Sequence, residues 1–259
     1  MTGIRMLKID TNAAETPSTM TMRFEERLDA EPGQFVMVWV PGVDEFPMSL
    51  SHVGNRFGFT YQVVGDGTRA LAAKEPGDLV GVRGPYGRPY PVPTGRILVV
   101  AGGTGMASLA PFIELATRNG SSVDLALGAR TAKEILFEER CHRAGAKVNV
   151  STDDGSKGMK GFATTLAQSL VDEANNDVIV TFGPEAMITG IVKLARERGT
   201  YMYASLERYM KCGIGVCDSC AIDGMHVCTD GPVFSREQLE KMGDLGKWKL
   251  DRCGAKVRI

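Results

Sequence analysis

Residues 97–117 read ILVVAGGTGMASLAPFIELAT, and this stretch decides the fold of the middle of the chain. The apolar run 97–101 is typical of a buried strand, and a helix-like pattern over 107–117 follows it after a short turn. That turn is Gly102-Gly103-Thr104-Gly105. Glycine amides at the start of a helix can hold a pyrophosphate, so we expect these four residues to bind a nucleotide. A turn without a ligand is the alternative, because Ser108 stands where a full dinucleotide fingerprint has its third glycine.

The same alternation continues after residue 117. Apolar strands are predicted at 122–127, 147–151 and 177–182, and helices at 134–144, 162–173 and 185–198. Strands that alternate with helices of this length indicate βαβ units. We therefore expect residues 94–204 to form an α/β domain with a doubly wound parallel sheet.

The chain before residue 94 has a different pattern. Short strands are predicted at 35–40, 57–64 and 79–83, separated by Pro-Gly and Gly-Pro turns, with one short helix near 68–74. This pattern is typical of an antiparallel barrel or sandwich, here assigned to residues 1–93. Its Gly65-Asp66-Gly67-Thr68 turn precedes the short helix and is either a second phosphate-binding loop or an ordinary hairpin turn.

The composition excludes several function classes. The chain has 259 residues, 43% hydrophobic and 24% charged, which is typical of a folded protein of about two domains. Its 30 Lys and Arg balance its 31 Asp and Glu, so no strong field favours nucleic acid or an anionic membrane. No apolar run approaches the roughly 18 to 20 residues of a membrane span, and the first ten residues lack an apolar signal segment. We expect a cytoplasmic protein that binds neither nucleic acid nor membrane.

Four of the six cysteines lie close together in residues 205–259, which we expect to form a third domain. They are Cys212, Cys217, Cys220 and Cys228. The first three have the C-x4-C-x2-C spacing of plant-type 2Fe-2S loops, although the fourth cysteine usually lies further on. A zinc site and redox disulfides are the alternatives. Cys141 and Cys253 are expected to be buried thiols, with Cys253 a weaker alternative for the fourth ligand.

These motifs together resemble a known family. The segments LERYMKCGIGVCDSC (206–220) and CTDGPVF (228–234) are similar to the cluster-binding tail of the electron-transfer subunit of class B dihydroorotate dehydrogenase, in the ferredoxin-NAD(P) reductase superfamily. The resemblance covers nearly the whole chain. It extends through PMSL (47–50), TYQVVGDGTRAL (60–71), RGPYG (83–87), VAGGTGMASLAP (100–111), TDDGSKGMKGF (152–162) and FGP (182–184).

The resemblance implies three cofactors: FAD in the barrel, NAD on the α/β domain and a 2Fe-2S cluster on the four cysteines of the tail. The family holds its flavin pyrophosphate and ring edge with an Arg-Pro-x-Ser element, but this chain has Phe46 in place of the arginine. Losing that cation puts the affinity for FAD, or the choice of FAD over a smaller flavin, in question. The residues expected to bind the flavin are Pro47, Met48, Ser49, Thr60, Tyr61, Gln62, Gly67 and Thr68.

The resemblance also implies the activity. Electrons would pass from the flavin of a catalytic dihydroorotate dehydrogenase subunit through the 2Fe-2S cluster and FAD to NAD+, in the biosynthesis of UMP. The expected assembly is a heterotetramer with two copies of each subunit. The cofactors carry this chemistry, so no catalytic side chain is expected, and the three histidines are interpreted as surface or packed residues. His226, close to Cys228, is a candidate to tune the cluster.

Two other functions stay open at this point. One is a flavin and iron-sulfur reductase subunit that serves a hydrogenase, a sulfide dehydrogenase or a ferredoxin-NADP oxidoreductase. The other, from a different class, is a zinc-stabilised nucleotide-binding regulator without redox activity. The choice between NAD and NADP is also open, since Arg130 follows the second strand of the α/β domain and could meet a 2'-phosphate.

Overall fold

A computed structural model of the chain describes residues 3–259. The first part is a closed antiparallel barrel in the strand order β1-β2-β5-β4-β3-β6. Phe24, Phe57 and Phe59 fill its interior, and the rings of Phe24 and Phe57 stack with centroids 4.9 Å apart. The elements are β1 (Arg5–Thr16), β2 (Thr19–Phe24), β3 (Phe35–Val40), β4 (Asp44–His52), β5 (Gly58–Gln62), helix α1 (Asp66–Ala72) and β6 (Leu79–Tyr86).

The short helix α1 closes one end of the barrel. Leu71 is fully buried there. The side-chain amide of Asn12, on β1, donates to the carbonyls of Leu71 and Lys74, each at 2.9 Å. These bonds satisfy carbonyls at the end of the helix that have no partner within it. The barrel therefore holds α1, and the turn before it, in a fixed place.

The second part is a three-layer α/β domain. Its parallel strands pair in register, for example Val99 with Val180 and Leu125. The elements are β7 (Arg96–Gly102), α2 (Met106–Arg118), β8 (Ser122–Ala129), α3 (Glu138–Arg143), β9 (Lys147–Thr152), β10 (Met159–Lys160), α4 (Ala163–Glu173), β11 (Val178–Phe182), α5 (Glu185–Arg198) and β12 (Tyr201–Ser205).

The cysteine-rich part adds a strand to this sheet. β15 pairs antiparallel with β12, so the sheet runs in the order β10-β9-β8-β7-β11-β12-β15. The remaining elements are β13 (Ala221–Ile222), β14 (Met225–His226), β15 (Val233–Ser235), α6 (Arg236–Leu239), β16 (Trp248–Leu250) and β17 (Lys256–Arg258). The buried side chains of Cys220, Val227 and Cys228 share one apolar core with Phe35 and Met37 of the barrel. The tail is thus packed against both other parts.

The predicted barrel and doubly wound sheet are confirmed, with local differences in the α/β domain. Helix α3 covers only residues 138–143 instead of 134–144, because residues 132–134 form a separate 3-10 turn. The strand-helix alternation also includes one strand after the last predicted helix, since β12 is a full parallel strand of the sheet. Within residues 3–259 no helix is both long and apolar enough to cross a lipid bilayer.

Candidate functional site

A cavity of about 270 Å³ lies where the barrel, the α/β domain and the cysteine-rich tail meet. Thr104 and Phe182 contribute from the α/β domain, while Leu206, Glu207, Arg208 and Met210 contribute from the tail. Most of the residues predicted to bind a flavin come together on its barrel side: Pro47, Met48, Ser49, Thr60, Tyr61, Gln62 and Thr68. We call this space the flavin cavity.

The hydroxyl groups of Thr60 and Tyr61 form hydrogen bonds with other side chains of the barrel. Thr60 bonds to the hydroxyls of Ser51 and Thr21, each at 2.8 Å. The Tyr61 hydroxyl donates to Oδ1 of Asn12 at 2.9 Å, and burial raises its pKa to about 12. These two residues therefore stabilise the wall of the flavin cavity, and their side-chain polar groups are not free to hold a ring.

The predicted phosphate loop is closed by its own threonine. The amides of Val64 and Gly65 donate to Oγ1 of Thr68 at 2.9 and 3.0 Å. Gly67 does not line the flavin cavity: a Cβ at residue 67 would lie 2.4 Å from Cε1 of Phe46. The residue that replaces the family's arginine thus covers the loop with an apolar ring. The buried cation that lines the cavity, Arg208, is instead paired with the carboxylate of Glu185, at 2.6 and 2.8 Å.

A second cavity, of about 560 Å³, lies at the carboxyl ends of β7, β8 and β11. Gly102, Gly103 and Thr104 of the predicted nucleotide loop line it, and this edge is where parallel α/β sheets bind nucleotides. Gly105 does not line this cavity. It is buried against β11, where a Cβ would lie 2.3 Å from the carbonyl oxygen of Phe182. Gly105 permits close packing of two chain segments, and Gly103, with open space around it, faces the ligand side. We call this space the nucleotide cavity.

The flavin and nucleotide cavities adjoin. Five residues line both of them: Gln62, Val64, Thr104, Phe182 and Glu207. Two ligands bound in these neighbouring cavities would lie next to each other along this shared boundary. A hydride moves only between groups in direct contact, so such a transfer requires cavities that adjoin in this way.

Glu207 is a functional candidate that the sequence pattern does not predict. It lines both cavities. The side chain is exposed at the rim of the cavities, but protein atoms around its carboxyl group desolvate it in part and raise its pKa above the ordinary value, against the opposing charges of Lys249 and Arg208. A carboxyl group with a raised pKa in a ligand cavity is able to hold or release a proton there. Its only sequence signal is its place in the segment 206–220, five positions before Cys212.

Glu134 is a second acidic residue that the strand pattern does not identify. It lines the nucleotide cavity five positions beyond the end of β8. Both of its carboxylate oxygens accept hydrogen bonds from Arg130, at 3.0 and 2.9 Å. The arginine considered for a 2'-phosphate is therefore already paired with a carboxylate.

The cysteine loop is organised by backbone amides that point at sulfur. The amides of Ile214 and Val216 each lie 3.4 Å from Sγ of Cys212, and the amide of Gly215 lies 3.2 Å from Sγ of Cys228. Positive φ angles at Gly213 and Gly215, 71° and 75°, allow the chain to curl in this way. Amides aimed at sulfur stabilise negative charge on thiolates, as iron-sulfur clusters need.

The four thiols lie in two pairs. Cys212 lies near enough to affect the pKa of Cys217, and Cys220 near enough to affect that of Cys228. Burial opposes ionisation of Cys217, but hydrogen bonds with Ser219 and Cys212 outweigh it and lower the pKa to about 6. Burial together with Cys220 raises the pKa of Cys228 to about 12, so this thiol binds a metal only by giving up its proton. Two pairs of sulfur donors suit a centre with two irons, each of which takes two thiolates.

The other thiols and the histidines lie in different settings. Among residues 3–259, no three His, Cys, Asp or Glu side chains are grouped so as to hold one metal ion, and this includes the four cysteines of the loop. Cys141 is buried in α3 as predicted, whereas the prediction for Cys253 is wrong, because it is exposed in the turn between β16 and β17. His226 contacts Oδ1 of Asp218 at 2.5 Å, next to Cys217.

Fold and site together define a class: reductases built from an antiparallel flavin barrel and a parallel-sheet nucleotide domain, here with an iron-sulfur tail. The family model described as the iron-sulfur cluster binding domain of dihydroorotate dehydrogenase B matches residues 207–240. A Methanocaldococcus jannaschii protein named as the electron transfer subunit of dihydroorotate dehydrogenase B (NAD(+)) is 40% identical over 245 residues, 94% of each chain. A Methanocella arvoryzae protein of the same name is 43% identical over 251 residues, 95% of each chain. The chain belongs to this family of electron transfer subunits.

Solved structures show the same fold. A chain of the NADH-dependent reduced ferredoxin-NADP oxidoreductase, described in connection with flavin-based electron bifurcation, superposes with a TM-score of 0.83 at 29% identity. The match covers 94% of this chain and 95% of that one. The cytochrome b5 reductase domain of Ulva prolifera nitrate reductase superposes with a TM-score of 0.62 at 18% identity, over 76% of this chain and 94% of that one. The second likeness shows the fold alone.

Proposed function

We propose that this chain is the electron-transfer subunit of an NAD-dependent dihydroorotate dehydrogenase. When bound, the 2Fe-2S cluster supplies single-electron transfer, and FAD connects it to the two-electron reduction of NAD+. The catalytic partner, which carries its own flavin, oxidises dihydroorotate on the route to UMP. The family membership and the matching tail support this assignment.

One observation carries the proposal: the residues just before the cysteine loop form a wall of the flavin cavity. Met210 lines that cavity, and Cys212 follows two positions later. Two residues of extended chain span at most about 7 Å, so the first thiol lies within short reach of the cavity. The nucleotide cavity adjoins the flavin cavity through Gln62 and Glu207. These contacts support an electron path from the cysteine loop through the flavin cavity to the nucleotide cavity.

We assign the binding residues accordingly. Flavin ring contacts come from the barrel wall, the nucleotide phosphates bind at Gly102, Gly103 and Thr104, and Gly105 supports that loop by packing. Glu207 is the group in the shared wall that can hold a proton. The cluster ligands are Cys212, Cys217, Cys220 and Cys228. The proposed domains are 1–93 for FAD, 94–204 for NAD and 205–259 for the cluster, with β15 as the strand by which the third joins the second.

The acceptor in this proposal is NAD rather than NADP. Glu134 engages Arg130 with both carboxylate oxygens and lines the nucleotide cavity. A carboxylate at this edge can accept hydrogen bonds from ribose hydroxyls and repels a 2'-phosphate. The relatives named above also carry NAD(+) in their names.

The test is co-expression with the flavin-bearing catalytic subunit and an assay of NAD+ reduction by dihydroorotate. We expect a complex of two copies of each subunit by native mass spectrometry. The Cys217→Ser variant should abolish dihydroorotate-dependent NAD+ reduction and retain dye reduction by NADH, which needs only the flavin and nucleotide sites. If the chain holds flavin and cluster but no catalytic partner restores dihydroorotate oxidation, the proposal fails.

One alternative is favoured by a specific observation. The similarity to the ferredoxin-NADP oxidoreductase chain spans nearly the full length of both proteins. Under that alternative the chain would serve an enzyme that uses ferredoxin, and reduced ferredoxin would replace dihydroorotate as electron donor in the same assay. Metal analysis distinguishes both of these reductases from a zinc-stabilised regulator, which would contain zinc and no iron.

A further inference from the structure

Arg83 connects the barrel to the cysteine loop. It lies on β6, and only 12% of its side chain is exposed. Two of its nitrogens donate to the carboxylate of Glu45, at 2.6 and 2.9 Å. Nη1 donates to the carbonyl of Cys212 at 2.7 Å, across 129 positions of sequence. One guanidinium thus joins a barrel carboxylate to the main chain of a proposed cluster ligand.

The contact fixes the start of the cysteine loop. Gly213, the next residue, lies against the barrel, since a Cβ there would be 3.0 Å from Cγ of Met37 and 3.7 Å from Nη1 of Arg83. The amides of Ile214 and Val216 then turn back towards Sγ of Cys212. Anchoring the Cys212 carbonyl therefore also sets how these two amides approach the sulfur.

The positive charge of Arg83 lies between the cysteine loop and the negative charge of Glu45. The guanidinium contacts the loop, while Glu45 bonds to its other edge. A cation closer to the cluster than its counter-ion favours the reduced, more negative state of the cluster. An arginine keeps its charge at every working pH, so this contribution is permanent.

We propose that Arg83 is a positioning residue for the cluster, which holds the Cys212 peptide against the barrel and raises the reduction potential of the cluster relative to a chain without this cation. This inference rests on the proposed function, since it requires a 2Fe-2S cluster on the four cysteines. Glu45 holds the guanidinium in place and partly offsets its field.

The test is a redox titration of the cluster, followed by electron paramagnetic resonance, in the full chain with its catalytic partner. Arg83→Gln should lower the cluster potential, because it removes the cation and leaves the Glu45 carboxylate. Glu45→Gln should raise it, because the cation stays and its counter-ion is lost. Arg83→Lys should keep most of the potential but release iron to a chelator faster, since an ammonium cannot reproduce the fork of hydrogen bonds.

Arg140 provides the matched control. It also holds a carboxylate with two nitrogens, Glu114 at 2.7 and 3.0 Å, and donates to a main-chain carbonyl, Ser51 at 2.8 Å, but it lies between the barrel and α2. Arg140→Gln should reduce stability without shifting the cluster potential. Shifts of one sign in both Arg83→Gln and Glu45→Gln, or no shift in either, would overturn the inference. If Arg83→Gln does not assemble a cluster, the potential measured in Glu45→Gln still tests the inference. A parent chain without iron would instead contradict the proposed function.

Discussion

The ring of Phe46 lies over Gly67, so close that a Cβ on residue 67 would be 2.4 Å from it. Phe46 stands where the resembled family has an arginine for the flavin pyrophosphate. Arg69, the nearby cation of α1, is exposed and paired with Asp66 at 2.6 Å. The turn at residues 65–68 is therefore covered by an apolar ring and closed by a hydroxyl group, and the nearby Arg69 supplies no buried charge to it.

Phe46→Arg should tighten FAD binding. A hydrogen bond to a charged group contributes about 1.5 to 3 kcal/mol, which corresponds to roughly ten- to a hundredfold in the dissociation constant. The measurement is FAD titration of the flavin-free protein by fluorescence quenching. Phe46→Leu is the control, because it removes the ring without adding a cation. Equal affinity in the two variants would show that the pyrophosphate does not lie beside residue 46.

Serine substitution should separate the four cluster thiols from the other two. Cys212→Ser, Cys217→Ser, Cys220→Ser and Cys228→Ser should each lose the visible absorbance of the cluster and most of the bound iron. Cys253→Ser should keep two irons per chain, and it is a matched control for Cys217, since both thiols are exposed. Iron analysis of the purified variants checks this. Loss of iron in Cys253→Ser, with iron retained in one of the four, would reassign the fourth ligand.

The sequence predicts helices and strands correctly where the spacing of hydrophobic residues is regular. Helix α5 covers 185–198 as predicted, because its apolar positions recur with the helical period and Gly199 ends it in the left-handed conformation, with φ of 66°. The pattern does not predict β1, β2 or β4. Strand β4 (DEFPMSLSH) carries Pro47 and has intermediate burial at residues 45–49, three of which line the flavin cavity, so it lacks a simple alternation.

The chemistry of the site is less readable where it depends on long-range contacts. The spacing alone indicates an iron-sulfur loop at Cys212 to Cys220. It does not indicate that Glu207 enters both cavities, nor that Arg83 contacts the Cys212 carbonyl from 129 positions away. Such contacts follow from how the barrel and tail pack, which local periodicity does not encode.

Two glycines of one loop should behave differently when changed to alanine. Gly105→Ala should destabilise the protein strongly, because its Cβ would meet the carbonyl oxygen of Phe182 at 2.3 Å, where backbone has to move. Gly103 has open space around it and φ of 54°, so alanine there costs about 1 to 2 kcal/mol of backbone strain. Gly103→Ala should still fold.

Gly103→Ala should also weaken the binding of NADH. In Gly103→Ala the new methyl group extends into the nucleotide cavity, so KM for NADH should rise several-fold in a dye-reduction assay while FAD content stays unchanged. Thermal denaturation of both variants reports the stability difference. An unchanged KM in a folded Gly103→Ala would remove this loop from the NAD site.

His52 should make the stability of the protein depend on pH below neutrality. Burial, together with the charges of Arg140 and Arg23, lowers its pKa from 6.5 to about 3. The ring lies edge-on to Phe137, with centroids 6.1 Å apart, and Nδ1 is 3.1 Å from Oγ of Ser51. Between pH 6.5 and about 3 the unfolded chain therefore binds a proton that the folded chain does not. The stability that this histidine contributes is complete above pH 6.5 and decreases as the pH falls, by up to about 1.4 kcal/mol per pH unit.

His52→Gln should remove this contribution, because glutamine does not titrate. Urea unfolding at pH 7.0 and 5.5 should show a smaller loss of stability in the variant than in the parent. His142 is exposed on α3, so His142→Gln should keep the parental pH dependence. Parallel losses in His52→Gln and the parent would mean that His52 gains its proton without unfolding, and that the arginines around it do not hold it neutral.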